Sequence, residues 1–141
     1  MGFFANIISL ALAAVFLLAG VTKLSPVINP DLTQMHTENF QNRYAPYWSQ
    51  FAGPLAEMPN FAERFQFLVG LVEVLGAAMM LFTPFGPLAV LPIIVCATVT
   101  HVVLEDPVEM SAVAGTIALL VVIRLALGYG SAAPQRKRKQ A

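Results

Sequence analysis

Three ionisable side chains, Lys23, Glu73 and His101, lie within or at the ends of long apolar stretches and are the candidates for chemistry. Glu73 stands in a largely apolar stretch with the spacing Gly70-x-x-Glu73-x-x-Gly76. A charge in hydrocarbon costs roughly 3 kcal/mol or more, so chains keep one mainly where it meets a partner or lines a cavity. The two glycines let another helix approach closely. The pattern indicates a membrane protein with a polar interior.

Two interpretations of these charges remain open. Lys23 and Glu73 could form a buried ion pair that fixes the register of two helices, because a lysine can extend several ångströms along its stem. With His101 nearby, they could instead line a polar pocket for a ligand or for a partner's polar group. The sequence contains no nucleophile elbow, phosphate-binding loop or dinucleotide fingerprint. We therefore expect no catalytic residue, no metal site and no cofactor.

The composition excludes most soluble classes of protein. Of the 141 residues, 57% are hydrophobic and 11% are charged, whereas soluble domains average about 25% charged residues. Eight acidic and eight basic residues cancel, so the net charge indicates no nucleic-acid partner. The single cysteine, Cys96, excludes an internal disulfide and a paired-cysteine redox motif.

Four apolar segments are each long enough to cross a bilayer, which takes about 20 helical residues. The sequence therefore predicts an all-α membrane protein, a four-transmembrane-helix bundle in one domain over residues 1–130. The expected spans are about 3–24, 65–82, 88–104 and 108–128. We interpret the first as a span rather than a cleaved signal peptide, because no charge precedes Lys23. Pro92 should kink the third span, and Asp106 is placed to cap the fourth.

The basic tail, residues 131–141, predicts the orientation. Residues 135–139 hold four of the eight Lys and Arg residues, which places both termini in the cytosol by the positive-inside rule. Arg124 should then reach the cytosolic headgroups. Lys137 and Lys139 form a Lys-x-Lys-x-x pattern at the C-terminus, typical of an endoplasmic-reticulum retrieval signal; the alternative is an ordinary basic stop-transfer cluster. A mitochondrial or plastid membrane stays open as an alternative location.

The segment 29–52, between the first two spans, is predicted to be an amphipathic helix outside the membrane. Asn29 and Pro30 are typical of a helix start, and Pro46 should break the helix into two short pieces. Aromatic residues recur on one side at helical spacing; they include Phe40, Tyr44, Tyr47 and Trp48. The segment could pack on the bundle as a lid, or its aromatic face could receive a partner helix.

These residues also carry a resemblance to a family. Gly20-x-x-Lys23-Leu24-x-Pro26, Met35, Tyr44 and Gly70-x-x-Glu73 resemble the DoxX-like superfamily of four-span proteins. His101-x-x-x-x-Asp106-Pro107, followed by Arg124-Leu125, is similar to the branch that contains the nicotinic acetylcholine receptor chaperone (NACHO). The resemblance implies an endoplasmic-reticulum protein that helps oligomeric membrane proteins assemble. Bacterial members of the superfamily are linked instead to quinone and sulfur redox partners.

Three functions follow as hypotheses. The first is a non-enzymatic membrane chaperone or adaptor, whose partners are other integral membrane proteins within the lipid bilayer. Its expected contact surface is the aromatic face of segment 29–52 together with the small-residue face around Gly70 and Gly76. The second is an accessory subunit permanently bound in a larger membrane complex, through the same faces. The third is a quinone-linked redox component.

Overall fold

The computed structural model describes residues 2–83 and 85–130, and within them every regular element is a helix. The predicted all-α class with four spans is confirmed. The elements, in chain order, are α1 (Phe3–Leu24), α2 (Pro30–Asn39), a π-helical segment (Phe40–Tyr44), α3 (Ala45–Ala52), a 3₁₀ segment (Gly53–Glu57), α4 (Phe61–Phe82), α5 (Gly86–Val103) and α6 (Val108–Gly130).

Helices α1, α4, α5 and α6 are each long and apolar enough to cross a membrane, so the chain is an integral membrane protein. The boundaries of α1 are those expected from the sequence. Helix α4 begins at Phe61, before the apolar run that predicts the span. Its first turns carry the charged residues Glu63 and Arg64, so they do not register as apolar. Hydropathy marks the apolar part of a helix and does not mark such a polar beginning.

Residues 30–52, which we call the lid, form one continuous helical segment outside the four spans. The side chain of Asn29 accepts a hydrogen bond from the backbone N–H of Leu32 at 3.0 Å, so the predicted cap is present. The predicted break at Pro46 is wrong. The backbone N–H of Ala45 bonds to the carbonyl of Phe40, five residues back, and this wider turn accommodates a proline that would obstruct an ordinary α-helical turn.

The tightest helix pair is α1 against α4. A Cβ atom on Gly20 would lie 2.7 Å from the carbonyl oxygen of Gly70, so the two backbones meet where both residues lack a side chain. Away from this contact, the core of the bundle contains Leu12, Phe16 and Val121, among others. Close packing along α1 and α4 fixes how Lys23 and Glu73 face each other.

Helices α5 and α6 are joined by a short turn that sets the position of Asp106. The backbone N–H of Asp106 bonds to the carbonyl of His101 at 3.0 Å, and that of Glu105 bonds to the carbonyl of Val102 at 3.3 Å. This is the Schellman arrangement, in which the residue after the helix adopts a left-handed conformation. Glu105 does so with a φ of 54°. The turn returns Asp106 toward the end of α5.

Candidate functional site

The ion pair between Lys23 and Glu73 joins α1 to α4 near the lid. Lys23 Nζ donates to both carboxylate oxygens of Glu73, at 3.1 and 2.8 Å, and to the carbonyl oxygen of Ala19 at 3.3 Å. Both side chains are largely buried, at 11% and 9% exposed. The three donors of the lysine are therefore all used, and the carboxylate keeps spare capacity to accept hydrogen bonds.

His101, the third member of the predicted polar cluster, does not contact this pair. Its Nδ1 lies 2.6 Å from Oδ2 of Asp106, and the guanidinium of Arg43 forms an ion pair with Oδ1 of the same carboxylate. Arg43 also donates to the carbonyl oxygen of Leu104 at 3.2 Å. We call Arg43, His101 and Asp106 the latch, since they connect the lid to the turn between α5 and α6.

The latch keeps the carboxylate of Asp106 charged. Burial alone would raise the pKa of Asp106, but the hydrogen bonds from His101 and Arg43 and the charge of Arg43 hold it below its usual range. The carboxylate is thus charged at neutral pH, and its side chain is fully buried. Asp106, expected from the sequence to cap the fourth span, uses its carboxylate to fasten the lid.

The aromatic residues of the lid divide into an inner and an outer group. Phe40 is buried and packs edge-on against Phe65 of α4. Tyr44 packs edge-on against the ring of His101, and Trp48 Nε1 donates to Thr100 Oγ1 at 2.9 Å. Three of the four predicted partner-binding aromatic residues therefore face this chain's own bundle.

Tyr47 belongs to the outer group, with Phe51 and the edge of Trp48. Their ring centroids lie 5.3 to 5.9 Å apart in edge-on contacts. Phe51 is 67% exposed and Leu55, in the following 3₁₀ segment, is 60% exposed. Trp48 therefore belongs to both groups, with its Nε1 on the bundle and its ring against Tyr47 and Phe51. We call Tyr47, Phe51 and this face of Trp48 the outer aromatic cluster.

The small-residue face around Gly70 and Gly76 is occupied within the chain. A Cβ atom on Gly70 would lie 3.0 Å from the side chain of Leu24 on α1, and one on Gly76 would overlap Val90 on α5. Both glycines are buried. In this structure they serve the packing of α4 against α1 and α5, and a partner helix could reach them only if the bundle opened.

A half-open cavity of about 800 Å³, which we call the chamber, lies among the four spans and the lid. All four spans and the lid contribute to its wall. The wall is mostly apolar; examples are Val15, Val69, Val72, Ile93 and Ile117. Cys96 also lines it, one helical turn before Thr100. Such size and lining are typical of a small-molecule site, since these range from about 300 to 1,000 Å³.

The polar residues of the chamber wall include all three members of the predicted polar cluster, together with His36, Asn39 and Glu109. His101 thus shares the chamber with Lys23 and Glu73 without contacting them. Burial and the neighbouring charge of Lys23 lower the pKa of His36 to about 4, so its ring is neutral at physiological pH. Within residues 2–83 and 85–130, the side chains of His36 and Asn39 make no hydrogen bond. The chamber thus offers two neutral side chains that can donate and accept hydrogen bonds, His36 and Asn39, beside an ion pair whose lysine has no donor left.

Two buried polar residues outside the chamber were not anticipated from the sequence. Arg124, expected to reach the headgroups, is 0% exposed, and its Nε donates to Ser9 Oγ on α1. Gln66 donates to the carbonyl oxygen of Lys23 at 2.9 Å and to Thr37 Oγ1 at 3.2 Å. These contacts tie α6 to α1, and α4 to both α1 and the lid. An isolated charge inside an apolar run is the signal that could have marked Arg124. Gln66 follows Glu63 and Arg64 and carries no such signal.

Two further predictions concern metal binding and the C-terminal tail. Among the described residues, no three His, Cys, Asp or Glu side chains are grouped as metal ligands. Lys137 and Lys139, the predicted retrieval signal, lie outside the described residues. Compared with models of known protein families and with curated proteins, the chain matches none.

Proposed function

We propose that this chain is a non-enzymatic integral membrane adaptor that assists the assembly of other, oligomeric membrane proteins. The observation that carries the proposal is the outer aromatic cluster, which stands outside the spans with Phe51 67% exposed. Exposed aromatic residues on a rigid helix bury large areas at low entropic cost and typically dominate binding surfaces. The lid is fastened to the bundle by the latch, so the cluster is presented in a fixed place.

The charges of the bundle support a structural role. Lys23 is paired with Glu73, and Asp106 is paired with Arg43 and His101. Groups that satisfy one another inside a protein fix an arrangement of helices, whereas a reactive group is typically left able to meet a substrate. The resemblance to the DoxX-like superfamily near the NACHO branch agrees with an assembly role.

The proposed location is the endoplasmic reticulum with both termini in the cytosol. It rests on the basic tail, on the retrieval-like Lys137 and Lys139, and on the even number of candidate spans. In this orientation the lid and the outer aromatic cluster face the lumen. A lumenal adaptor could then contact the extramembrane parts of subunits before they leave the compartment.

The test compares partner recovery after affinity purification in a mild detergent. Tyr47→Ala with Phe51→Ala should remove the recovered membrane proteins while leaving the bundle folded. Tyr44 and Trp48 are unsuitable for this purpose because both line the chamber and their loss would disturb the lid. The matched control is Phe82→Ala, since Phe82 is 84% exposed at the end of α4 that adjoins the turn to α5. Unchanged recovery in the double variant would contradict the proposal.

The same purification separates the alternatives. Partners recovered in fixed stoichiometry, and resistant to washing, would indicate a permanent accessory subunit that uses the same surface. A quinone-linked redox component is the second candidate, and the apolar chamber of about 800 Å³ favours it. A stoichiometric quinone in the purified protein, reduced at a useful rate, would replace the adaptor proposal with the redox one.

A further inference from the structure

We propose that the chamber binds one neutral lipid with a hydroxyl head, seated with the head beside His36 and Asn39 and the hydrocarbon body between α4, α5 and α6. This site goes beyond the proposed adaptor function and does not depend on it, because the adaptor surface is the outer aromatic cluster. Both could be true of one protein, and each has its own test.

The hydrocarbon body is indicated by the wall of the chamber. Val69 and Val72 of α4, Ile93 of α5 and Val113 and Ile117 of α6 line it. A volume of about 800 Å³ suits one molecule of drug size or somewhat larger. An apolar guest gains contact with these side chains, and each pair of atoms adds a small dispersion attraction that accumulates over the whole wall.

The neutrality of the head is indicated by the balance of the buried charges, in which Lys23 is paired with Glu73. Glu109 also lines the chamber, but it is exposed at the start of α6, where water screens its charge. Lys23 gives all three of its donors to Glu73 and to Ala19, so an anionic head would find the lysine engaged and a carboxylate beside it. His36 is neutral at physiological pH, with a pKa of about 4. A charged head beside the Lys23–Glu73 pair would lose its hydration, and neither the engaged lysine nor the neutral His36 could offset that cost.

A hydroxyl suits the hydrogen-bonding groups better than a carbonyl does. The neutral ring of His36 has one donor and one acceptor, and the amide of Asn39 has both kinds of group. The carboxylate of Glu73 retains lone pairs beyond the two hydrogen bonds from Lys23. A hydroxyl can donate to one of these acceptors and accept from one of these donors, whereas a carbonyl oxygen only accepts.

The native cysteine makes the proposal measurable. Cys96 is the single cysteine of the chain and lines the chamber, so its alkylation by N-ethylmaleimide in nanodiscs reports access to the site. Geranylgeraniol is the hydroxyl probe; palmitic acid and decylubiquinone are the comparison probes. With free geranylgeraniol at about four times its Kd, alkylation should slow about fivefold, because only the unoccupied fraction reacts.

Two controls separate binding from a general effect on the bilayer. The first moves the thiol to the neighbouring position of α5, with Val95→Cys in a Cys96→Ser background, because Val95 is exposed like Cys96 but is not part of the chamber wall. Geranylgeraniol should leave its alkylation unchanged. The second is the double variant Asn39→Leu and His36→Leu, which removes the protein groups proposed to bind the hydroxyl and keeps the apolar wall. Geranylgeraniol should no longer protect Cys96 in this variant. An unchanged tryptophan emission would show that the lid stays in place.

Three outcomes would overturn the proposal. Protection by palmitic acid equal to that by geranylgeraniol would contradict a neutral head. Stronger protection by decylubiquinone would contradict the hydroxyl and favour the redox candidate. Failure of geranylgeraniol to protect Cys96 at any concentration, or equal protection at position 95, would contradict a binding site in the chamber. None of these results depends on recovery of a protein partner.

Discussion

The Lys23–Glu73 pair makes the sharpest prediction about stability. The two charges lie about 3 Å apart in a largely buried place, and at an effective dielectric constant of about 20 they attract by about 5 kcal/mol. Desolvation offsets part of this gain, so the pair itself contributes little compared with two apolar residues. Removal of one partner strands the other charge, however, and should cost about 3–5 kcal/mol.

A double-mutant cycle measures this coupling. Glu73→Gln and Lys23→Met should each lower the free energy of unfolding by that amount, and the double variant should lose little more than either one. The assay is unfolding by SDS in mixed micelles, followed by helical circular dichroism. Glu38→Gln, which changes an exposed acid on the lid, should cost less than about 0.5 kcal/mol. Additive losses in the double variant would mean that Lys23 and Glu73 do not meet.

Three further predictions concern the lid and the seam between α1 and α6. Asp106→Asn or Arg43→Gln should release the lid and shift the fluorescence emission of the single tryptophan to longer wavelength. The helical circular dichroism should stay unchanged. An unshifted emission spectrum would contradict the role of the latch in holding the lid. Ser9→Ala should lower the free energy of unfolding by about 1.5–3 kcal/mol, because Arg124 loses a buried acceptor. The same substitution should have almost no effect on stability when Arg124→Leu is already present. Equal losses of stability in both backgrounds would refute the contact between Ser9 and Arg124. The folded-state pKa of His36 lies below its unfolded value of 6.5, so stability should fall as the pH decreases from about 6.5 toward 4. His36→Gln should flatten this slope in pH-dependent unfolding, and an unaltered slope would contradict the assignment.

The helical elements could be predicted because their causes are local. Twenty apolar residues specify a span whatever surrounds them, and Asn29 with Pro30 marks the start of the lid. The error at Pro46 has a local cause as well, since a proline usually ends a helix. A π-helical turn removes that conflict here, and no residue type announces such a turn in advance.

The site was harder to predict because its parts are distant in the sequence. Lys23 could be matched with Glu73 by depth alone, since both lie within spans whose ends were known. The contact of Arg43 with Asp106 depends on how the lid crosses the bundle, which hydropathy does not describe. The chamber depends on how far apart the four spans lie, and most of the side chains that line it are apolar residues of a kind found throughout the spans.

The measurement that tests the lidded chamber most directly uses the only tryptophan and the only cysteine of the chain. Trp48 donates to Thr100, whose hydroxyl bonds to the carbonyl oxygen of Cys96 at 2.7 Å, so the indole lies about one turn from the thiol. Bimane attached to Cys96 in nanodiscs should therefore be quenched by the indole, and Trp48→Phe should restore its fluorescence. Equal fluorescence with and without the tryptophan would show that the lid does not cover the chamber.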